Sequence, residues 1–290
     1  MRPLYRFLIS AALVVVANFI AATGFWLAGA SHPNLGEILY RNGAAALLIG
    51  GYLGLSSMLD YVEEGNWAYI GLPLNSDAIR QGSIGFGIGA GMITIAVAII
   101  GIVGDLNFHV HISPRTLSHG AAILVLLIGG AMLEELMFRG YPFQRLVESG
   151  GAWGAILFFS VLFGAVHLGN PNAGGIRSWG FANTILVGIL FAYAYLRTRT
   201  LWLPFGIHLS WNLFLGLVYG LPVSGLRDFS VIVRTEASGS KLLTGGAYGI
   251  EASATGAFVI VLGFALVRMV PKPRVKEVLQ KSFQGTRLGI

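Results

Sequence analysis

Apolar stretches near the length of a bilayer crossing recur along this chain, and they constrain its fold more than any other feature. A span needs about 20 apolar residues. Eight candidates occur, at 7–30, 43–59, 82–104, 118 into the 130s, 152–168, 180–196, 201–220 and 249–270. In hydrocarbon the backbone must satisfy its own hydrogen bonds, so each stretch predicts a helix. Charged residues make up 11% of the chain, well under the roughly 25% of a soluble domain. The expected fold class is all-α, a polytopic membrane bundle of about eight transmembrane helices. Three regions follow: 1–117 with three spans, 118–220 with four, and 221–290 with an outer loop, the last span and a basic tail.

Several features refine that plan. Arg2 and Arg6 precede the first span, and Ala28-Gly29-Ala30 looks like a leader cleavage site. The apolar part exceeds the roughly 7–15 residues of a leader, so a retained helix is expected. With the termini inside, the inner segments carry 13 of the 19 Lys and Arg residues. That bias predicts cytoplasmic N- and C-termini in a cytoplasmic membrane. The basic residues flank apolar runs, so the net charge of +6 points to lipid headgroups and not to nucleic acid. With no cysteine, disulfides and thiolate metal sites are excluded. Gly85, Gly87, Gly89 and Gly91 form two small-xxx-small pairs, 85/89 and 87/91, and predict close helix packing.

Glu134 and Glu135 end the uncharged run 120–133. If the helix stopped at Leu133, both acids would be wet. If it continued through Arg139 to about Leu146, with a turn at 148–151, Glu134 would lie about 18 Å from that turn. His167, at the end of the next span, would lie about 22 Å from it. The two would then face each other across an antiparallel hairpin, with Pro142 as a point where the extension kinks. An acid at that depth costs about 2.5–3.5 kcal/mol and is by default functional. Glu135 precedes Arg139 by four residues, in the favourable order for an ion pair, which is expected at the membrane edge. Glu134, about 100° round the helix, is left for the interior. His208 and Asn212 share one face of the 201–220 span. His109 and His111 read as exposed loop residues, and Asn18 and Asn183 as interhelical hydrogen-bonding amides.

An acid, two imidazoles and an amide in an apolar bundle can activate water. Glu134 is the candidate base, alone or with His167, and His208 with Asn212 can donate to a developing oxyanion. Alternatively Glu134, His167 and His208 hold Zn²⁺, which lowers the pKa of bound water to about 7. No Ser, Thr or Cys nucleophile stands out, so direct hydrolysis is expected.

Three motifs resemble those of the CPBP (Abi) family, the type II CAAX prenyl endopeptidases and bacteriocin-processing or immunity proteins. These are Glu134-Glu135-x-x-x-Arg139, Phe163-x-x-x-His167 and His208-x-x-x-Asn212. Each alone is weak; all three in order, each in its own span, are specific. The resemblance covers about 118–219. It implies an intramembrane endopeptidase with Glu134 as base, His167 as its partner on water, and His208 and Asn212 at the oxyanion or metal side. Glu135, Arg139 and Phe163 would support them. The implied partner is a membrane-associated peptide or protein. The competing readings are a proton-coupled transporter using Glu134, His167 and His208 as a relay, and a non-catalytic immunity or scaffold protein.

Overall fold

The computed structural model describes residues 71–272. The expected spans at 7–30 and 43–59, with Asn18, lie outside the described residues, as does most of the basic tail.

Four described helices are long and apolar enough to cross a membrane, and two shorter apolar helices accompany them. The first, α1 (Ser76–Val103), starts at Asn75, whose side chain accepts the Ala78 N–H at 3.0 Å. It then runs 28 residues without a break. Next comes α2 (Pro114–Arg139), opened by a reciprocal cap in which Ser113 and Thr116 bond each other's backbone, with Pro114 in the first turn. The chain breaks at Gly140 and resumes as α3 (Tyr141–Gly150). The extension beyond Leu133 is therefore helical but not continuous. Pro142, which has no N–H to offer the preceding turn, sits at the start of α3. Gly151, at φ 82°, turns the chain into α4 (Ala152–Val166), and His167–Gly169 closes that helix as a 3-10 turn.

Helix α5 (Trp179–Thr198) and α6 (Trp202–Leu213) complete the centre. The expected span 201–220 is shorter as an α-helix than its apolar length implied, because it relaxes into a π-turn over Phe214–Val218. A short α7 (Lys241–Thr244) precedes a 3-10 turn at Ile250–Ala252 and then α8 (Ala254–Met269). The last span thus begins five residues later than expected. Arg197 donates to the carbonyls of Arg268 and Val270, both at 2.8 Å, tying the end of α5 to the end of α8.

An all-α fold is not quite what forms. Strand β1 (Asp105–Val110) pairs antiparallel with β2 (Val233–Ser238), from Asp105 opposite Ser238 to Val110 opposite Val233. The fold is mostly helical with one two-stranded ribbon. His109 and His111 are exposed as expected, but His109 belongs to this ribbon, opposite Arg234.

Helices α1 and α6 approach backbone to backbone. A Cβ on Gly85 would run into the Leu203 carbonyl, one on Gly89 into the Ile207 carbonyl, and one on Gly206 into the Gly82 carbonyl. Gly87 and Gly91 have nothing within 4 Å among the described residues, so only one of the two glycine pairs makes a helix seam. Gly89→Ala is expected to lower the melting temperature in detergent, since overpacking costs about 1–3 kcal/mol. Gly91→Ala, with open space at its Cβ, is expected to leave it unchanged. Equal melting of the two variants would show that the seam does not hold the helices together.

The seam matters because α6 carries His208. Around it lies one apolar core built from Met92, Ile93, Phe138, Phe159, Phe163, Phe191 and Ile207, among others. Asn183 donates to the carbonyls of Glu251 at 2.9 Å and Ser253 at 2.8 Å, the interhelical role expected of it.

Candidate active site

Glu134 and Glu135 occupy the last turns of α2, and the angle between them divides their surroundings. Glu135 is fully buried, whereas the Glu134 side chain is 34% exposed. Arg139 donates to Glu135 Oε1 at 3.4 Å, the pair expected from the four-residue spacing. The pair is buried inside the protein. The Arg139 guanidinium is buried over Phe163 and Phe191, 4.7 and 5.1 Å from the ring centroids, and donates to Gly188 O at 3.0 Å. The cation is held by two ring faces and two oxygens, while Arg139 Nε and Glu135 Oε2 are buried with no hydrogen-bond partner among the described residues.

His208 is where the two glutamates meet. Its Nδ1 bonds Glu135 Oε1 at 2.9 Å, and its Nε2 lies 3.7 Å from Glu134 Oε2. The ring stacks on Phe191, with centroids 4.9 Å apart and 22° between planes, and takes the edge of Phe163 at 6.3 Å. The imidazole is fixed on every side except the one facing Glu134. A carboxylate on one ring nitrogen sets the direction of the other, so Nε2 is aimed at Glu134.

His167 is half-buried, and its Nδ1–H donates to Phe163 O at 2.7 Å, leaving Nε2 without a hydrogen bond among the described residues. The rings of Phe163 and His167 lie 4.6 Å apart. Phe163 therefore touches both imidazoles and the guanidinium. Among the described residues His167 makes no hydrogen bond or ion pair with Glu134. Asn212 stands half-buried one turn beyond His208.

Sequence reasoning passed over two connections. Glu135 serves His208 as well as Arg139. Glu251 accepts the Trp211 indole N–H at 3.0 Å and both the hydroxyl and the backbone N–H of Ser224. A lone acid at the head of an apolar stretch was the available signal for the second.

For the expected Zn²⁺ set, Glu134 and the Nε2 atoms of His208 and His167 would be the donors, since each Nδ1 is held by Glu135 or by Phe163 O. Among the described residues no three His, Asp or Glu side chains gather closely enough to hold a metal ion.

Residues 116–214 match the family model of the type II CAAX prenyl endopeptidase Rce1-like proteins. Over 140 residues the chain is 31% identical to the "Putative membrane peptidase YdiL" of Bacillus subtilis (strain 168). That match takes in 44% of this chain and 54% of the relative, so the chain spans about half the length of the curated relative it matches. No solved structure matches it. The matched region contains all three motifs in order, so residues 116–214 are similar to the type II CAAX prenyl endopeptidase Rce1-like proteins over the stretch that holds the candidate site.

Proposed function

We propose that this protein is an intramembrane endopeptidase that hydrolyses a peptide bond in a membrane-associated peptide or protein with Glu134-activated water. One observation carries the reading. A partly exposed Glu134 carboxylate faces the free nitrogen of an imidazole whose other nitrogen is held by a buried carboxylate. A separation of 3.7 Å is too long for a direct hydrogen bond and suits groups that share a small polar molecule.

The step follows from that arrangement. Glu134 takes a proton from water as the water oxygen bonds to the scissile carbonyl carbon. The carbonyl oxygen becomes an oxyanion, stabilised by the Asn212 amide and by the Nε2–H of a doubly protonated His208 whose Nδ1–H stays on Glu135. The C–N bond then breaks, and Glu134 returns the proton to the leaving amine. His167 Nε2 is the second group able to orient the water. Glu135 keeps the His208 ring turned toward the reaction, with Arg139 balancing its charge.

The matched family and relative support peptidase chemistry, and the substrate class is inferred from the site's place within apolar helices. The test is peptide release by purified protein in liposomes, read by mass spectrometry, with and without a chelator. A defined new pair of termini that persists under chelation is expected. Proton flux without cleavage would favour the relay reading. Cleavage abolished by the chelator and restored by Zn²⁺ would overturn the metal-free step.

A further inference from the structure

Glu251 belongs to none of the three motifs and lies beyond the matched region. It sits in the 3-10 turn ahead of α8, and four hydrogen bonds involve it. Its Oε1 accepts the Trp211 indole N–H at 3.0 Å and the Ser224 hydroxyl at 3.2 Å. Its Oε2 accepts the Ser224 backbone N–H. Its own carbonyl takes the Asn183 amide at 2.9 Å, so both ends of the residue are pinned.

Each partner leads to the site. Trp211 stands on α6 between His208 and Asn212 and directly adjoins Asn212. Ser224 leads to the other imidazole. Its carbonyl accepts the Asn170 side-chain amide at 3.1 Å, and the Asn170 backbone N–H closes the turn on His167 O at 3.1 Å. Ser224 adopts φ 48°, a left-handed conformation that a serine holds only when its surroundings fix it. Both its N–H and its hydroxyl are fixed by Glu251.

We infer that Glu251 is a positioning residue, joining the His167 turn to the His208–Asn212 face of α6 and setting the spacing between the two imidazoles. It touches no reacting atom and acts through Trp211 and Ser224. The inference rests on the peptidase reading above. A displacement of about 1 Å in a catalytic group can cost about 100-fold in rate. The loss of this clamp is therefore expected in turnover more than in substrate binding.

The test compares wild type, Glu251→Gln, Trp211→Phe, Ser224→Ala and Glu134→Ala in liposomes with the same cleavable peptide. Trp211→Phe keeps an aromatic ring and removes the N–H, and Ser224→Ala removes one donor. Glu251→Gln and Trp211→Phe should each lower kcat about 10- to 100-fold with KM within about twofold of wild type. Glu251→Gln combined with Trp211→Phe should be no worse than the poorer single, since both break one link. Should Glu251→Gln fail to fold, Trp211→Phe and Ser224→Ala decide the matter. Wild-type kcat in folded Trp211→Phe overturns the assignment, as does a multiplicative loss in the double variant. If Glu134→Ala is inactive while Glu251→Gln turns over normally, only the Glu251 role falls. If wild type cleaves nothing, the peptidase reading and this inference fall together.

Discussion

Glu134→Gln protein is expected to cleave a membrane peptide about 100- to 10,000-fold more slowly than wild type, the range for removing a general base. Glutamine has nearly the shape of glutamate but cannot take a proton from water. The side chain is 34% exposed, and its described ion-pair neighbour is His208 Nε2 at 3.7 Å, so little of the fold depends on its charge. Stability should stay within about 0.5 kcal/mol of wild type, as for surface substitutions. Single-turnover rates in liposomes and thermal unfolding in detergent measure the two effects separately. The pattern looked for is lost turnover in an intact fold. A Glu134→Gln rate within tenfold of wild type would remove Glu134 from the reaction. Equal loss of rate and of melting temperature would make it a structural residue.

His208→Ala and His167→Ala differ from that substitution in kind. Each removes a ring packed on Phe163, and His208 also stacks on Phe191, so both variants should lose activity together with some stability. For this reason the isosteric change at Glu134 is the more decisive one.

The route from residue order to this site was legible where a periodicity or a depth argument applied. Hydropathy located the long apolar helices, with starts up to six residues off at α1, and it missed the short α7. The depth count from the turn at 148–151 favoured a helix that continues past Leu133, and it does so as far as Arg139, though the break at Gly140 removes the continuous helix on which the count relied. The four-residue step from Glu135 to Arg139 identified their pair. What it could not supply was the environment, since only the fold reveals that Phe163, Phe191 and Gly188 bury the pair beneath His208. The angle argument also assigned the glutamates to separate surroundings, yet an imidazole has two nitrogens and reaches both.

Other misses have different causes. The ribbon was overlooked because a search for 20-residue apolar runs ignores period-two segments. Val233-Arg-Thr-Glu-Ala-Ser238 alternates in that way, with Arg234, Glu236 and Ser238 on one side. Gly87 and Gly91 satisfy the same spacing rule as Gly85 and Gly89, but spacing does not say which face meets α6. The π-turn after Leu213 leaves no mark in hydropathy, since Phe214–Val218 is as apolar as the helix before it. Glu251 was legible in principle, but its partners Ser224 and Trp211 are 27 and 40 residues away, and no local pattern joins them.

The buried pair beneath His208 supports the second large expectation. Arg139→Met should lower stability by about 3–5 kcal/mol, the cost of breaking a buried pair by removing one partner. Met approximates the length of the arginine stem, so loss of packing is the smaller part. What remains is Glu135, wholly buried, with His208 Nδ1 as its one described hydrogen-bond donor. The Gly188 carbonyl also loses the donor that Arg139 supplied at 3.0 Å. Arg139→Lys should recover little, because an ammonium cannot lie flat between Phe163 and Phe191 while reaching both oxygens. The informative variant is Glu135→Gln combined with Arg139→Met, which leaves no buried unpaired charge and should melt above Arg139→Met alone. Cleavage by the double variant should still be impaired, because the neutral amide that Glu135→Gln introduces neither balances nor orients the His208 imidazole as a carboxylate does. Thermal unfolding of wild type, the two single variants and the double variant in one detergent measures the coupling. If Arg139→Met melts with wild type, the charge is not confined as its geometry indicates. If the double variant regains full turnover, Glu135 is dispensable to His208 and acts only as a counter-ion.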